Sequence, residues 1–131
     1  MKTALSIAGS DCSGGAGIQA DLKTMSALGV FGMSVIVSVV AENTSRVISI
    51  EDVSPQVIAD QIDAVFEDMP VDAVKVGMLS TPACMHVVAD KLRQYHPQHR
   101  VIDPVMYAKN GLSLIHISNI YRSVWCGCCI C

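Results

Sequence analysis

The sequence carries no surplus of charge of one sign: 9 basic residues stand against 12 acidic ones, a formal charge of −3, with no long run of either. That balance excludes the basic footprint by which a protein meets nucleic acid or an anionic membrane. A long hydrophobic run is also missing. Although 51% of the residues are hydrophobic, the longest candidate span, "MSVIVSVVA" from Met33 to Ala41, falls far short of the roughly 18 residues a transmembrane helix needs. A strand of buried parallel sheet accounts for it better. The start, "MKTALSIAGSD", has a lysine and a short apolar run but meets Asp11 at once and shows no cleavage pattern, so the expected location is the cytoplasm. Cysteine is scarce over most of the chain. Cys12 and Cys84 stand apart, as in a reduced intracellular protein, whereas Cys126, Cys128, Cys129 and Cys131 crowd the end. His86, His96, His99 and His116 have no metal-ligand spacing, and the methionines read as core filler, with a positional case for Met78 alone.

What is present alternates between strand and helix. "TALSIA" (Thr3 to Ala8) is a short apolar run closed by Gly9, hence a strand. Ile18, Leu22, Met25 and Leu28 recur at helical spacing, and Gly29 stands where a C-terminal helix glycine belongs. "SVIVSVVA" (Ser34 to Ala41) predicts one strand buried on both faces. "RVISIEDV" (Arg46 to Val53) reads as an edge strand or hairpin arm. Ser54 and Pro55 cap a helix whose stripe is Val57, Ile58, Gln61, Ile62, Val65 and Phe66. "DAVKVG" (Asp72 to Gly77) is a strand, Thr81 and Pro82 open a helix to about Arg93, and "RVIDP" (Arg100 to Pro104) is a further strand. The expected fold is α/β around a mostly parallel central sheet.

Ligands of such sheets bind beyond the carboxyl ends of the strands. Those ends are Gly9-Ser10-Asp11, Glu42-Asn43, Gly77-Met78 and Asp103-Pro104, so one edge gathers acids and bare backbone. The glycine-rich stretch after the first strand is not a phosphate-binding P-loop, because no lysine lies between Lys2 and Lys23. Gly15, Gly17 and Ala20 match a dinucleotide fingerprint with Glu42 as the ribose acid, but Ser10 to Gly14 intervene between strand and motif. A third reading has Gly14, Gly15 and Gly17 folding the backbone tightly over a small substrate, with the helix N-terminus near Ala16 facing it.

The stretches "ALSIAGSDCSGGAGIQADLKTMSALG", "VVAENT", "VKVGML" and "VIDPVMYAKNG" resemble, in order and in register from Thr3 to Gly111, the amino-terminal part of hydroxymethylpyrimidine/phosphomethylpyrimidine kinase. This is a thiamine-pathway enzyme of the ribokinase-like superfamily. The resemblance implies a three-layer ribokinase-like fold, truncated here, and an enzyme that uses ATP and Mg2+ to phosphorylate an aminopyrimidine alcohol and then its monophosphate. It implies an aminopyrimidine pocket to which Gly9, Ala16, Val40, Glu42, Met78 and Val105 contribute, with Asp103 near the phosphates and the magnesium ion. The catalytic base, the glycine-rich anion-binding turn and most of the ATP site are implied for a carboxy-terminal half, so no catalytic residue is expected in this chain. A homodimer is open for the full-length protein.

The residues alone admit plainer roles. Glu42 serves equally as a solvated strand-end acid, Asp103 as half of a turn-forming Asp-Pro pair, Asp21 as a surface salt-bridge partner and Lys109 as a solvated lysine. Cys12 reads as an incidental loop thiol. Rival functions are a pyridoxal or pyridoxine kinase of the same superfamily, a dinucleotide-binding oxidoreductase, and a module that binds the pyrimidine without turnover. After Gly111 the text "LSLIHISNIYRSVWCGCCIC" holds no acid and resembles nothing in the family. The expected division is therefore 1–111 as the kinase portion and 112–131 as an unrelated tail of frameshift or artefactual origin.

Overall fold

A computed structural model describes residues 1–103 and 105. The boundary at Gly111, Lys109, His116 and the terminal cysteines lie outside the described residues. The order is β1 (Thr3–Ala8), α1 (Gly17–Ala27), β2 (Phe31–Ile36), β3 (Ser38–Glu42), β4 (Val47–Asp52), α2 (Pro55–Asp68), β5 (Ala73–Val76), α3 (Pro82–Tyr95) and β6 (His99–Ile102). Four strands form a parallel sheet in the order β2-β1-β5-β6, while β3 and β4 pair antiparallel in a separate two-stranded sheet.

Strand periodicity divides the parallel sheet into unlike faces. Leu5, Ile7, Met33, Val35, Val74 and Val76 point to one side and pack with Ile58, Ile62, Met85, Val88 and Leu92 of α2 and α3 in a single core. The other side carries Ala4, Ser6, Gly32 and Lys75, and there α1 lies close enough that a Cβ on Gly32 would meet Leu22 at 2.9 Å. Helices thus cover both faces, and the three-layer expectation holds. The helix ends also follow the sequence. Ser54 and Thr81 accept from the Val57 and Cys84 amides, prolines occupy the first turns, and Gly29, at φ 72°, turns the chain out of α1.

One expectation fails. Ser34 to Ala41 is two strands, not one, and the second is not buried on both faces, since Val39 is 57% exposed. At Val37 the amide donates to the Ala8 carbonyl and the carbonyl accepts from the Val53 amide. The first bond continues the parallel ladder past Ile36 and the second continues the hairpin ladder before Ser38, so at Val37 the chain passes from one sheet to the other. β-Branched composition favours extended backbone but cannot say which sheet the backbone joins.

Candidate functional site at the carboxyl edge of the sheet

The glycine-rich loop is shaped first by its own packing. Gly17 has φ 56°, which side chains resist, and a Cβ there would run into the Gly9 carbonyl oxygen. The same carbonyl accepts from the Ile18 amide at 3.1 Å, so α1 begins directly against the end of β1. Asp11 is buried and folds the loop: its carboxylate accepts from the Ser13 amide at 2.8 Å and hydroxyl at 2.6 Å, while its own amide donates to Gln19. Lys23 donates to the Gly14 carbonyl at 3.0 Å.

The loop also holds the hairpin over the sheet edge. The Ser10 amide donates to the Ser38 carbonyl at 2.9 Å, and the Val40 amide donates to the Ser10 hydroxyl at 3.0 Å. The β3–β4 ladder slips between Ala41 and Glu42, and there the Cys12 thiol meets the Glu42 backbone, donating to its carbonyl at 2.9 Å and accepting from its amide at 3.3 Å. A loop nearly bare of side chains is therefore a clamp, fixing a helix start on one side and a hairpin on the other.

Between them lies a cleft of about 330 Å3, within the range of small-molecule sites. Gly9, Ala16, Val40, Glu42, Met78, Val105 and Asp103 all line it, so the residues singled out from sequence converge on one place from β3, the loop between β1 and α1, and the segments after β5 and β6. Glu42 arrives differently from expected. It ends a strand of the hairpin rather than of the parallel sheet, and so it stands across the cleft from the sheet edge. Val47 and Ile50 of β4 add apolar wall on that side.

Sequence reasoning assigned no role to Lys75 and left Asp21 as a surface pair. Both line the cleft. The Lys75 ammonium donates to Asp21 at 2.8 Å, and the same carboxylate oxygen accepts from the buried Ser6 hydroxyl at 2.5 Å. The available signal was a charge in the middle of an apolar strand, "DAVKVG". Among the described residues, no group of three or more His, Cys, Asp or Glu side chains is placed to hold a metal ion by itself. Asp103 is exposed at the cleft, and no protein hydrogen bond to its carboxylate is found among the described residues. It suits a cation whose other ligands are phosphate oxygens and water. No helix among the described residues is long and apolar enough to cross a membrane.

Away from the cleft, several ionisable groups have displaced pKa values. Lys91 and then Tyr95 hold the Asp63 carboxyl below its usual range, and hydrogen bonding to Asp63 pushes the Tyr95 phenol up to about 12. Burial pushes the Cys84 thiol up to about 12. The first two tie α2 to α3 and the third sits in the core, so all three serve packing.

Comparison with known proteins fits this geometry. The family profile described as phosphomethylpyrimidine kinase matches residues 11–123. The hydroxymethylpyrimidine/phosphomethylpyrimidine kinase of Rhizobium meliloti (strain 1021) is 54% identical over 112 residues, covering 86% of this chain and 42% of that protein. The enzyme of that name from Escherichia coli (strain K12) is 50% identical over 117 residues, 89% of this chain and 44% of its own length. The crystal structure of phosphomethylpyrimidine kinase from Clostridium difficile 630 superimposes with a TM-score of 0.82 at 52% identity, over 87% of this chain and 49% of that one. An ADP complex of Bacillus subtilis pyridoxal kinase gives 0.80 at 36% identity, over 93% and 45%. The chain thus spans about two fifths of the length of these curated relatives.

Proposed function

Because the chain belongs to the phosphomethylpyrimidine kinase family, we propose that it supplies the acceptor-binding part of an ATP- and Mg2+-dependent kinase acting on hydroxymethylpyrimidine and on its monophosphate. The observation that carries the reading is the convergence of Gly9, Ala16, Val40, Glu42, Met78, Val105 and Asp103 on one cleft. Its two ends differ in chemistry. Val40 and Met78 offer apolar wall to a flat ring, and the bare Gly9 lets the Ser38 hydroxyl and the Met78 methyl close in beside it. The Glu42 carboxylate accepts from an exocyclic amine and from a protonated ring nitrogen, a pair of donors that an aminopyrimidine edge presents. Asp103, which lines the cleft, would hold the magnesium ion, and that ion, bound with nucleotide, would supply positive charge against the transferring phosphoryl group.

The chain's own residues do the positioning. The Ser10 and Cys12 bonds fix the hairpin that carries Glu42, and the Gly9–Gly17 contact fixes the opposite wall. Holding the acceptor rigidly is a large part of phosphoryl-transfer catalysis, which depends on alignment and charge stabilisation.

A second reading, a pyridoxal kinase, is favoured by the similarity to the Bacillus subtilis pyridoxal kinase structure, though at lower identity than to the Clostridium difficile enzyme. Calorimetry on the chain with hydroxymethylpyrimidine and pyridoxal in parallel tests both. Binding of the pyrimidine in preference is expected; preference for pyridoxal, or binding of neither, overturns the proposal.

A further inference from the structure

Inside this cleft, Lys75 is the one cationic side chain among the described residues, set against Asp11, Asp21, Glu42 and Asp103. A phosphorylated ligand entering so acidic a lining meets like-charge repulsion unless a cation offsets it. Lys23, the other lysine near the loop, bonds to the Gly14 carbonyl outside the lining.

Lys75 is held in place by two strands and a helix, β5, β1 and α1. It sits opposite Ser6 in the β1–β5 register, so both side chains leave the same face of the sheet. Ser6 donates to Asp21, and Asp21 accepts from Lys75, which ties the ammonium to α1 and β1 together. The chain leaves room for it: a Cβ on Gly77 would lie 2.9 Å from the Lys75 Nζ and 3.0 Å from the Ala8 Cβ. The bare Gly77 thus lets the ammonium run along the strand to the carboxyl edge, beside Met78. Asp21 engages one of the three N–H donors of an ammonium. The Lys75 side chain, 29% exposed, keeps a path to the cleft.

We propose that Lys75 is the residue through which this cleft accepts an acceptor that already bears a phosphate, and so sets the selectivity between hydroxymethylpyrimidine and its monophosphate. Asp21 and Ser6 are positioning residues for it. The alcohol carries no phosphate and makes no demand on the ammonium, whereas the monophosphate places a dianion in a lining of four carboxylates. The inference rests on the kinase reading above and goes beyond it by naming what distinguishes the two substrates.

The test compares both ligands on the 131-residue chain and on Lys75→Met and Lys75→Arg variants, by calorimetry at low and high salt. Lys75→Met is expected to weaken the monophosphate by about tenfold or more, the scale of a lost charge-assisted hydrogen bond, and to leave the alcohol within about twofold. Lys75→Arg should restore most of the monophosphate affinity. In the unaltered chain, added salt should weaken the monophosphate more than the alcohol. Equal weakening of both ligands by Lys75→Met would show a merely structural ion pair and overturn the proposal while leaving the kinase reading intact. Salt-independent monophosphate binding by the unaltered chain would overturn it too, even if the methionine variant failed to fold. Binding of neither ligand would instead sink the kinase reading.

Discussion

Gly17 stands so close to Gly9 that a side chain on the first would occupy the carbonyl oxygen of the second. The contact joins the start of α1 to the end of β1 and defines one wall of the cleft. Gly17→Ala combines that clash with a left-handed backbone at φ 56°. It is expected to destabilise the chain by about 1 to 3 kcal/mol and to lower aminopyrimidine affinity with it. Denaturant unfolding checks the first effect; an unchanged midpoint would show that the loop relaxes freely.

Glu42, carried by the hairpin, lines the cleft and is the proposed polar anchor of the ring. Glu42→Ala should weaken hydroxymethylpyrimidine binding by about 1 to 3 kcal/mol, the cost of losing hydrogen bonds to a charged group. Calorimetric affinity equal to that of the unaltered chain would remove it from the site.

Asp103 also lines the cleft and is the proposed magnesium ligand. Asp103→Asn should therefore leave the affinity for hydroxymethylpyrimidine unchanged within about twofold, because an alcohol without phosphate does not call on a magnesium ligand. A loss comparable to that of Glu42→Ala would move Asp103 to the ring.

Asp63, between Lys91 and Tyr95, gives the fold an acid-sensitive joint. Its folded pKa lies below the ordinary 3.8, so its contribution is present above that value and is lost as pH falls through the folded one. Asp63→Asn should cost on the order of 1 kcal/mol or less near neutral pH, with the difference from the unaltered chain shrinking below about pH 4. Tyr95 acts at the other extreme. Its folded pKa is raised to about 12, so its contribution holds below the ordinary value of about 10 and fades as pH rises through the folded one. Urea midpoints across the acid range decide the first point; a constant difference between Asp63→Asn and the unaltered chain would mean the carboxylate charge is not what counts.

The 131-residue chain by itself should show no turnover of hydroxymethylpyrimidine with ATP and Mg2+. Beyond Asp103 its sequence holds no carboxylate to serve as base, and a positioned base is worth about 10²- to 10⁴-fold in rate. A coupled assay beside the Escherichia coli relative is the check, and rates approaching that enzyme's would reveal a catalytic group in the residues after Asp103.

The sequence by itself determined the elements of this protein, because the signals for them are local. Capping by Ser54 and Thr81, the prolines behind them, Gly29 after α1 and the apolar stripe through Ile58 and Ile62 each act within a turn or two of the chain. The motif residues after β1, β5 and β6 were legible too, since a parallel sheet brings such ends to one edge. Tertiary structure decided which sheet each strand joined and how the cleft is walled. The break at Val37 depends on hydrogen bonds to Ala8 and Val53, and no local pattern distinguishes it from continued strand. The same holds for Lys75. A lysine in an apolar strand is anomalous by composition, but its partner Asp21 lies 54 residues away, and an ion pair over that distance is fixed only once α1, β1 and β5 have packed together.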